Sequence, residues 1–272
     1  MAVSVSKTTS PEAKRIRLLA AVLAGYCNQS DLDFELLVAD DGSTDDTRKL
    51  IEYHAARAPF KLHHVWQEDT GFRPGAARNR AAARTKAGYI IFADGDCVPA
   101  RDFVRQHLAL AEPGFFLSGN RVLLSQSFTQ QVLAQRLQIH QWHAARWLRA
   151  WAARDVNRLL PLLKLPDASF RKRSPLQWEG VKSCNLSLWR ADFMRVNGFD
   201  ESYSGWGLED SDLAIRLIHA GVHHKSARFA TPVFHLWHRE NDRSRLTENQ
   251  KLLAEIIASA RVEARVGVSQ YS

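Results

Sequence analysis

The run GYIIFADGDCVP, residues 88–99, decides the fold. Tyr89–Ala93 is apolar at every position, so the run reads as a strand covered on both faces and central in its sheet. It ends abruptly in Asp94, Gly95 and Asp96. Outward towards the N-terminus, strand-like and helix-like stretches alternate: PGAARNRAAARTKA (74–87), KLHHVW (61–66), TDDTRKLIEYHAAR (44–57) and FELLVA (34–39). That alternation is the pattern of an α/β protein built on a parallel sheet. Outward in the other direction come a strand-like VKSCNLSLW (181–189), a loop of Gly, Ser and aromatics (198–207), a helix LEDSDLAIRLIHAG (208–221), a strand ending at HLWH (235–238) and a polar C-terminal helix.

The chain has 272 residues, 45% hydrophobic and 24% charged, values of a globular protein with a sizeable core. Lys or Arg breaks every long apolar run, so no transmembrane helix is expected. The N-terminal stretch has no small-residue cleavage site and reads as part of the fold. Cys27, Cys97 and Cys184 are odd in number and widely spaced, which argues against a disulfide framework and a Cys-based zinc site and favours a reducing, cytoplasmic setting. There is no internal repeat or low-complexity linker. The expectation is one domain over 1–272, with a nucleotide-sugar-binding half at 1–125, a basic helical insertion at 126–176 and an acceptor-binding half at 177–272.

Five clusters carry chemistry. In VADDGSTDD, Asp40 and Asp41 end a buried strand, where a paired carboxylate can accept hydrogen bonds from a base or ribose; the plainer reading is a capped strand-to-helix turn. In ADGDC, Asp94 and Asp96 form a hard oxygen site for Mg²⁺ or Mn²⁺ bridging a diphosphate, because two carboxylates so close repel without a cation. In GWGLEDSDL, Trp206 offers a flat face to a sugar ring, while Asp210 or Glu209 at a helix N-terminus can act as general base. His235 and His238 lie three apart near a strand end and, with Asp96, make a mixed carboxylate and imidazole site. Arg78, in QEDTGFRPGAARNRA, can reach a diphosphate from its helix. His63/His64 and His223/His224 point to opposite faces of strand-like runs and receive no function.

Taken in order, DDGST, QEDTGFRPGAARN, ADGDCVP, SCNLSLWR, NGFDE, GWGLEDSDL and HLWH resemble the family 2 glycosyltransferases of the GT-A fold, with a C-terminal part similar to β-1,4-galactosyltransferases and chondroitin-polymerase-type enzymes. The resemblance covers roughly residues 34–240. It implies a single GT-A domain with a mixed central sheet and a helical insertion. It also implies inverting, metal-dependent transfer from a UDP-sugar, with Mn²⁺ or Mg²⁺ as cofactor. By matching position, Asp40 or Asp41 contacts the uridine, Asp94 the ribose or metal, Asp96 the metal, and Asp210 is the base. Trp206 and Glu209 match acceptor-site residues, His238 a metal ligand, and His235 stands three before it. The family's first strand corresponds here to VSVSKTTSPEAKRI, which is about two residues shorter and carries Lys7 where the apolar run would continue. A glycan or glycolipid acceptor, in bacterial surface polysaccharide or lipopolysaccharide synthesis, fits the resemblance.

Residues 131–176 hold nine basic and two acidic side chains, leaving only +1 of the chain's net +8 for all the rest. Leu133, Leu137, Ala144, Trp147, Leu148 and Trp151 recur at helical spacing with Arg146 and Arg149 turned away, which suits a helix on an anionic membrane surface; a helix packed on the domain is the plainer reading. Two other classes share some of these features. A metal-dependent nucleotidyl transferase or phosphodiesterase has the sheet and Asp pair but not GWGLED. A non-enzymatic nucleic-acid-binding module would stack bases on Trp142, Trp147 and Trp151; the expectation is that nucleic acid is no partner.

Overall fold

The computed structural model describes residues 12–239 and 243–271 in full and the backbone of residues 2–6. Strand β1 (Ala2–Ser6) is followed by α1 (Glu12–Cys27), β2 (Glu35–Asp41), α2 (Asp45–Ala55), β3 (Lys61–Gln67), α3 (Pro74–Arg84) and β4 (Tyr89–Asp94). These strands pair in parallel in the order β3-β2-β1-β4, as the alternation requires. The expected first strand thus exists and lies mid-sheet; Lys7 falls outside the described residues.

Every residue of β4 up to Ala93 is buried, matching its uninterrupted apolar sequence. Helix α3 lies close on the sheet because its inner face is small: Ala77 and Ala81 pack against Leu37, Ala39 and Val65. Pro74 opens α3, where a missing N–H costs nothing.

Beyond β4 the sheet becomes mixed. Strand β8 (Asn185–Trp189) runs antiparallel to β4 and to β6 (Phe115–Ser118), and β9 (His223–Ser226) closes the edge parallel to β6. The stretch expected as a strand from 181 is extended only from Asn185. Residues 181–184 instead turn over the ends of β4 and β8, and the Cys184 side chain is buried there.

A second, three-stranded sheet has the order β5 (Cys97–Pro99), β10 (Val233–His235), β7 (Arg121–Leu123). In its register His235 sits opposite Cys97, and Phe234 opposite Val98. Leu236 N–H then donates to Asp96 O at 2.9 Å, so the chain after β10 is held against the DGD turn. Alternation along β10 sends Phe234 and His235 to opposite faces.

The insertion is not one helix. After α4 (Phe103–Leu110) it comprises α5 (Gln126–Gln135), ended by Arg136 in a left-handed conformation (φ 51°), α6 (Ala144–Ala152) and isolated single turns. The single apolar stripe expected over 131–151 is corrected accordingly. Trp147 (4% exposed) and Ala150, three residues apart on α6, face the core, and Trp147 stacks on Phe234 with ring centroids 4.4 Å apart. Leu148 (55% exposed) and Trp151 (50%) face outward. Trp142 packs against Phe128 and Trp147, so the three tryptophans form no common stacking platform. Helices α7 (Arg190–Arg195), α8 (Glu209–His219) and α9 (Leu246–Ile257) complete the fold. No helix among the described residues is long and apolar enough to cross a membrane.

Candidate active site

The carboxyl end of β4, the loop before α8 and the segment after β10 enclose a cavity of about 360 Å³. Arg78, Asp94, Asp96, Trp206, Glu209, Asp210, His235 and His238 all line it, although the sequence spreads them over 160 positions. Strand ends are where open α/β sheets take ligands, because side chains there escape the pairing of the sheet.

On one side of the cavity, Asp96 is buried with His238 Nε2 at 2.9 Å and His235 Nε2 at 3.7 Å from its two oxygens. Burial alone would raise the Asp96 carboxyl, but His235 and His238 outweigh it and hold it at about 2. His238 rises above the usual imidazole value, because its bond to Asp96 exceeds the penalty of burial, while burial lowers His235. His238 Nδ1 lies 2.7 Å from Arg239 O, so the protonated ring donates there from Nδ1 and to Asp96 from Nε2; the bond to Arg239 O would leave Nε2 to offer its lone pair if a cation took the place of that proton. One carboxylate oxygen and two imidazole nitrogens within 4.8 Å of one another fit a divalent cation of borderline hardness such as Mn²⁺.

On the other side, Gly205 (φ 70°), Gly207 (φ 100°) and Leu208 (φ 78°) all adopt left-handed conformations around Trp206. A non-glycine residue such as Leu208 is strained there, and the strain sits one residue before α8. It starts the helix at Glu209, one residue later than its sequence pattern suggests. Asp210 accepts a hydrogen bond from Ser183 N–H at 3.3 Å, across from β8. Asp212, the third acid of the motif, is fully buried and bonded to Arg216 Nε at 2.5 Å, so it supports the fold.

Arg78 and Glu209 both line the cavity and are joined to each other. The Arg78 guanidinium is buried between Asp94 (2.9 Å) and Glu209 (3.0 Å), so it forms part of the cavity wall. Glu209 gives its carboxylate to that pair, although burial and the neighbouring Asp210 push its carboxyl up against the pull of Arg78. Asp40 and Asp41 lie outside this cavity lining. Asp40 accepts from Ser43 N–H (2.9 Å) and lies 2.8 Å from His64 Nε2, while Asp41 accepts from Gln67 Nε2 (2.7 Å) and Arg73 N–H (2.6 Å). Both therefore brace the turn between β2 and α2 and the segment that enters α3. The cysteines are all free, and the fold brings Cys97, Cys184 and Asp94 together with ligand atoms within 4.8 Å of one another, a closeness their spacing in the sequence does not show.

With this geometry in place, the chain was compared with known proteins. The model of glycosyl transferase family 2 matches residues 14–170, and that of the N-terminal domain of galactosyltransferase matches residues 166–239. The chain belongs to glycosyl transferase family 2. Validoxylamine A glucosyltransferase of Streptomyces hygroscopicus subsp. jinggangensis is 29% identical over 78% of this chain and 51% of its own length. Chondroitin synthase of Escherichia coli is 24% identical over 81% of this chain and 33% of its own. The chain thus spans about half or less of these curated relatives. Among solved structures, S. aureus TarS 1–349 in complex with UDP-GlcNAc superposes with a TM-score of 0.61 at 13% identity, covering 99% of this chain and 68% of that one. Mannosyltransferase PcManGT from Pyrobaculum calidifontis, in complex with GDP-Man and Mn²⁺, gives 0.62 at 17%, covering 95% and 64%. The fold is GT-A.

Several residues of this family 2 glycosyltransferase escaped the reading of its sequence. Arg121, Lys182 and Arg243 bring positive charge into the cavity, and the Arg243 guanidinium lies over the Trp206 ring, 4.9 Å from its centroid. Asn249 of α9 is buried and donates to both Ser204 O (3.1 Å) and Gly207 O (3.0 Å), clamping the Trp206 turn from behind. A single Asn in a polar helix gives no signal of such a role.

Proposed function

We propose that this cavity transfers a hexose or N-acetylhexosamine from a UDP-sugar to a glycan or glycolipid hydroxyl with inversion at the anomeric carbon. The observation that carries the reading is that the Asp96–His235–His238 cluster and Asp210 line one cavity. A metal-type cluster and a separate carboxylate in one cavity suit a displacement in which the first assists the leaving group and the second the nucleophile.

Asp96, His235 and His238 are the residues that would hold Mn²⁺ or Mg²⁺; a divalent ion bound there supplies charge neutralisation for the departing diphosphate. Arg121 and Lys182 add fixed positive charge around the same space. Asp94, which lines the same cavity and pairs with Arg78, is assigned to the ribose or metal. Asp40 and Asp41 are assigned to the uridine side through their place at the end of β2. Trp206 provides the acceptor's apolar platform and Glu209 its far wall. Asp210 takes the proton from the acceptor hydroxyl as that oxygen attacks, since a neutral hydroxyl is a poor nucleophile at neutral pH. The assigned sequence halves, 1–125 for donor and 177–272 for acceptor, meet in this cavity.

The reading extends to place and pathway: a cytoplasmic enzyme, peripheral on the inner face of the plasma membrane, in bacterial surface polysaccharide or lipopolysaccharide synthesis. Its support is the insertion, where Leu148 and Trp151 are exposed on the same short helix as Arg146 and Arg149. The test is a thermal-shift screen of UDP-Gal, UDP-Glc, UDP-GlcNAc and UDP-GalNAc with Mn²⁺, followed by transfer assays with the donor that stabilises most. Stabilisation by one UDP-sugar that requires the cation is expected; a donor built on another nucleotide would overturn the assignment.

A further inference from the structure

A second cavity lies apart from the one just described. A groove of about 620 Å³ lies between the start of α4 and the insertion, and it shares no lining residue with the candidate active site. Its floor is aromatic, with Trp142, Trp147 and Phe234 in succession, and its walls include Leu159, Leu162 and Leu163. Arg101, Arg105 and Lys164 line it as well, against one carboxylate, Asp102. Asp102 is already engaged by Lys164 and lies 3.9 Å from Arg105. Arg101 has no carboxylate within ion-pair reach among the described residues, so the groove carries surplus positive charge. His140 also lines it. That side chain is 6% exposed, and its Nε2 has no hydrogen-bond partner. A buried polar atom without a partner is costly, which marks a position a ligand atom can satisfy.

We propose that this groove binds an anionic lipid, its alkyl chain lying on the Trp142–Trp147–Phe234 floor and its phosphate held by Arg101, Arg105 and His140. The combination selects the class. The aliphatic walls of Leu159, Leu162 and Leu163 offer the hydroxyls of a sugar or nucleotide no hydrogen-bond partner, and a neutral hydrocarbon would leave the cations and His140 unused. The volume lies in the range that encloses a small ligand. Leu163 at the groove is half exposed, as are Leu148 and Trp151 of α6, the helix that contributes Ala144 and Trp147 to the groove. The assignment rests on reading the insertion as the membrane-facing part of the chain, and it names what that part grips.

The test uses soluble single-chain probes below their micelle concentrations, so that it needs no membrane. Hexyl, octyl and decyl phosphate are titrated calorimetrically into the full chain, with inorganic phosphate and decanol as controls. Each is repeated with UDP and Mn²⁺ present. Each buried methylene should tighten binding about fourfold, so each two-carbon step should give roughly fifteenfold. Inorganic phosphate and decanol should each bind at least about tenfold more weakly than decyl phosphate, and UDP should not compete. Ala144→Trp, which fills the groove, should abolish binding, and Arg105→Glu should weaken decyl phosphate while leaving decanol unchanged. Affinity independent of chain length, equal binding by inorganic phosphate, displacement by UDP, or undiminished binding in both variants would overturn the proposal. Vesicle flotation of Leu148→Glu/Trp151→Glu separately tests the membrane surface, so failure of that reading is distinguishable from failure of the groove.

Discussion

Arg78 and Glu209, 131 positions apart in sequence, are joined by an ion pair of 3.0 Å inside the cavity wall, and Asp94 takes the other arm of the same guanidinium. One buried cation therefore ties the end of β4 to the start of α8. Removing it leaves two carboxylates facing each other out of water. Arg78→Ala should lower the unfolding free energy by about 3–5 kcal/mol, and adding Glu209→Gln should recover part of that loss. Urea denaturation of the two variants and the wild type measures both effects.

Asp210→Asn keeps shape and hydrogen-bonding capacity but cannot accept a proton as a carboxylate does. Transfer should fall about 10²–10⁴-fold while UDP binding with Mn²⁺ remains, because Asp210 is not a member of the metal-type cluster. Full activity in this variant, or a product that retains the donor's anomeric configuration, would move the base elsewhere. Steady-state rates, calorimetry and the anomeric NMR signal together decide it.

His238→Ala removes the imidazole nearest Asp96. Mn²⁺-dependent UDP binding should weaken about tenfold or more, and the preference for Mn²⁺ over Mg²⁺ should shrink, since the site becomes more purely oxygen-lined. Asp96→Ala should abolish metal-dependent binding. If His238→Ala behaves as wild type in both respects, the histidines only support the turn.

Asn249→Ala deletes both bonds that hold the Trp206 turn. The expected result is a raised KM for the acceptor with an unaltered affinity for UDP, because the two bonds of Asn249 go to the turn that carries Trp206. The stability cost should be about 1–3 kcal/mol, the penalty for leaving buried carbonyls without a donor. Kinetics with varied acceptor at saturating donor give the first quantity and urea denaturation the second.

Two buried histidines should loosen the protein in acid above the ordinary carboxylate range, opposed only in part by Glu209, whose carboxyl is raised to about 7. Burial pushes His107 down to about 3 and His140 to about 4, both from an ordinary 6.5. Each is neutral when folded and takes a proton more readily when unfolded. Their contribution is complete above pH 6.5 and is lost as pH falls towards 4 and then 3, at no more than about 1.4 kcal/mol per pH unit for each. The urea midpoint should fall between pH 7 and pH 5. Its slope should flatten in His107→Gln, which can still meet Ser187 and Asn185.

The half of the fold that sequence made legible is the half governed by local rules. Tyr89–Ala93 announced a central strand because its burial on both faces demands apolar residues throughout, and Gly205-Trp206-Gly207 announced a turn because of its glycines. The closeness of His235 to Asp96 was inferable from residue types alone, whereas its cause, the pairing of β10 with β5, is a contact between distant segments. Arg78 shows the limit more sharply. Its helix and exit point were readable, but its direction depends on Glu209, whose own orientation is fixed by the strained Leu208. The insertion failed as a single stripe for a related reason. Periodicity groups Trp147 with Leu148 and Trp151, yet the aromatic ring of Phe234, nearly ninety residues later, takes Trp147 alone.

Strand β10 is three residues long, and its neighbours Phe234 and His235 serve two different cavities on its two sides. Inserting or deleting one residue in the segment that feeds it would turn the imidazole into the aromatic floor and the phenyl ring into the metal-type cluster. Such a change damages both cavities at once, whereas a change of two residues restores the facing of each side chain. Length variation among descendants of this chain should therefore be tolerated in the outward part of the insertion and excluded, in odd steps, from residues 227–232.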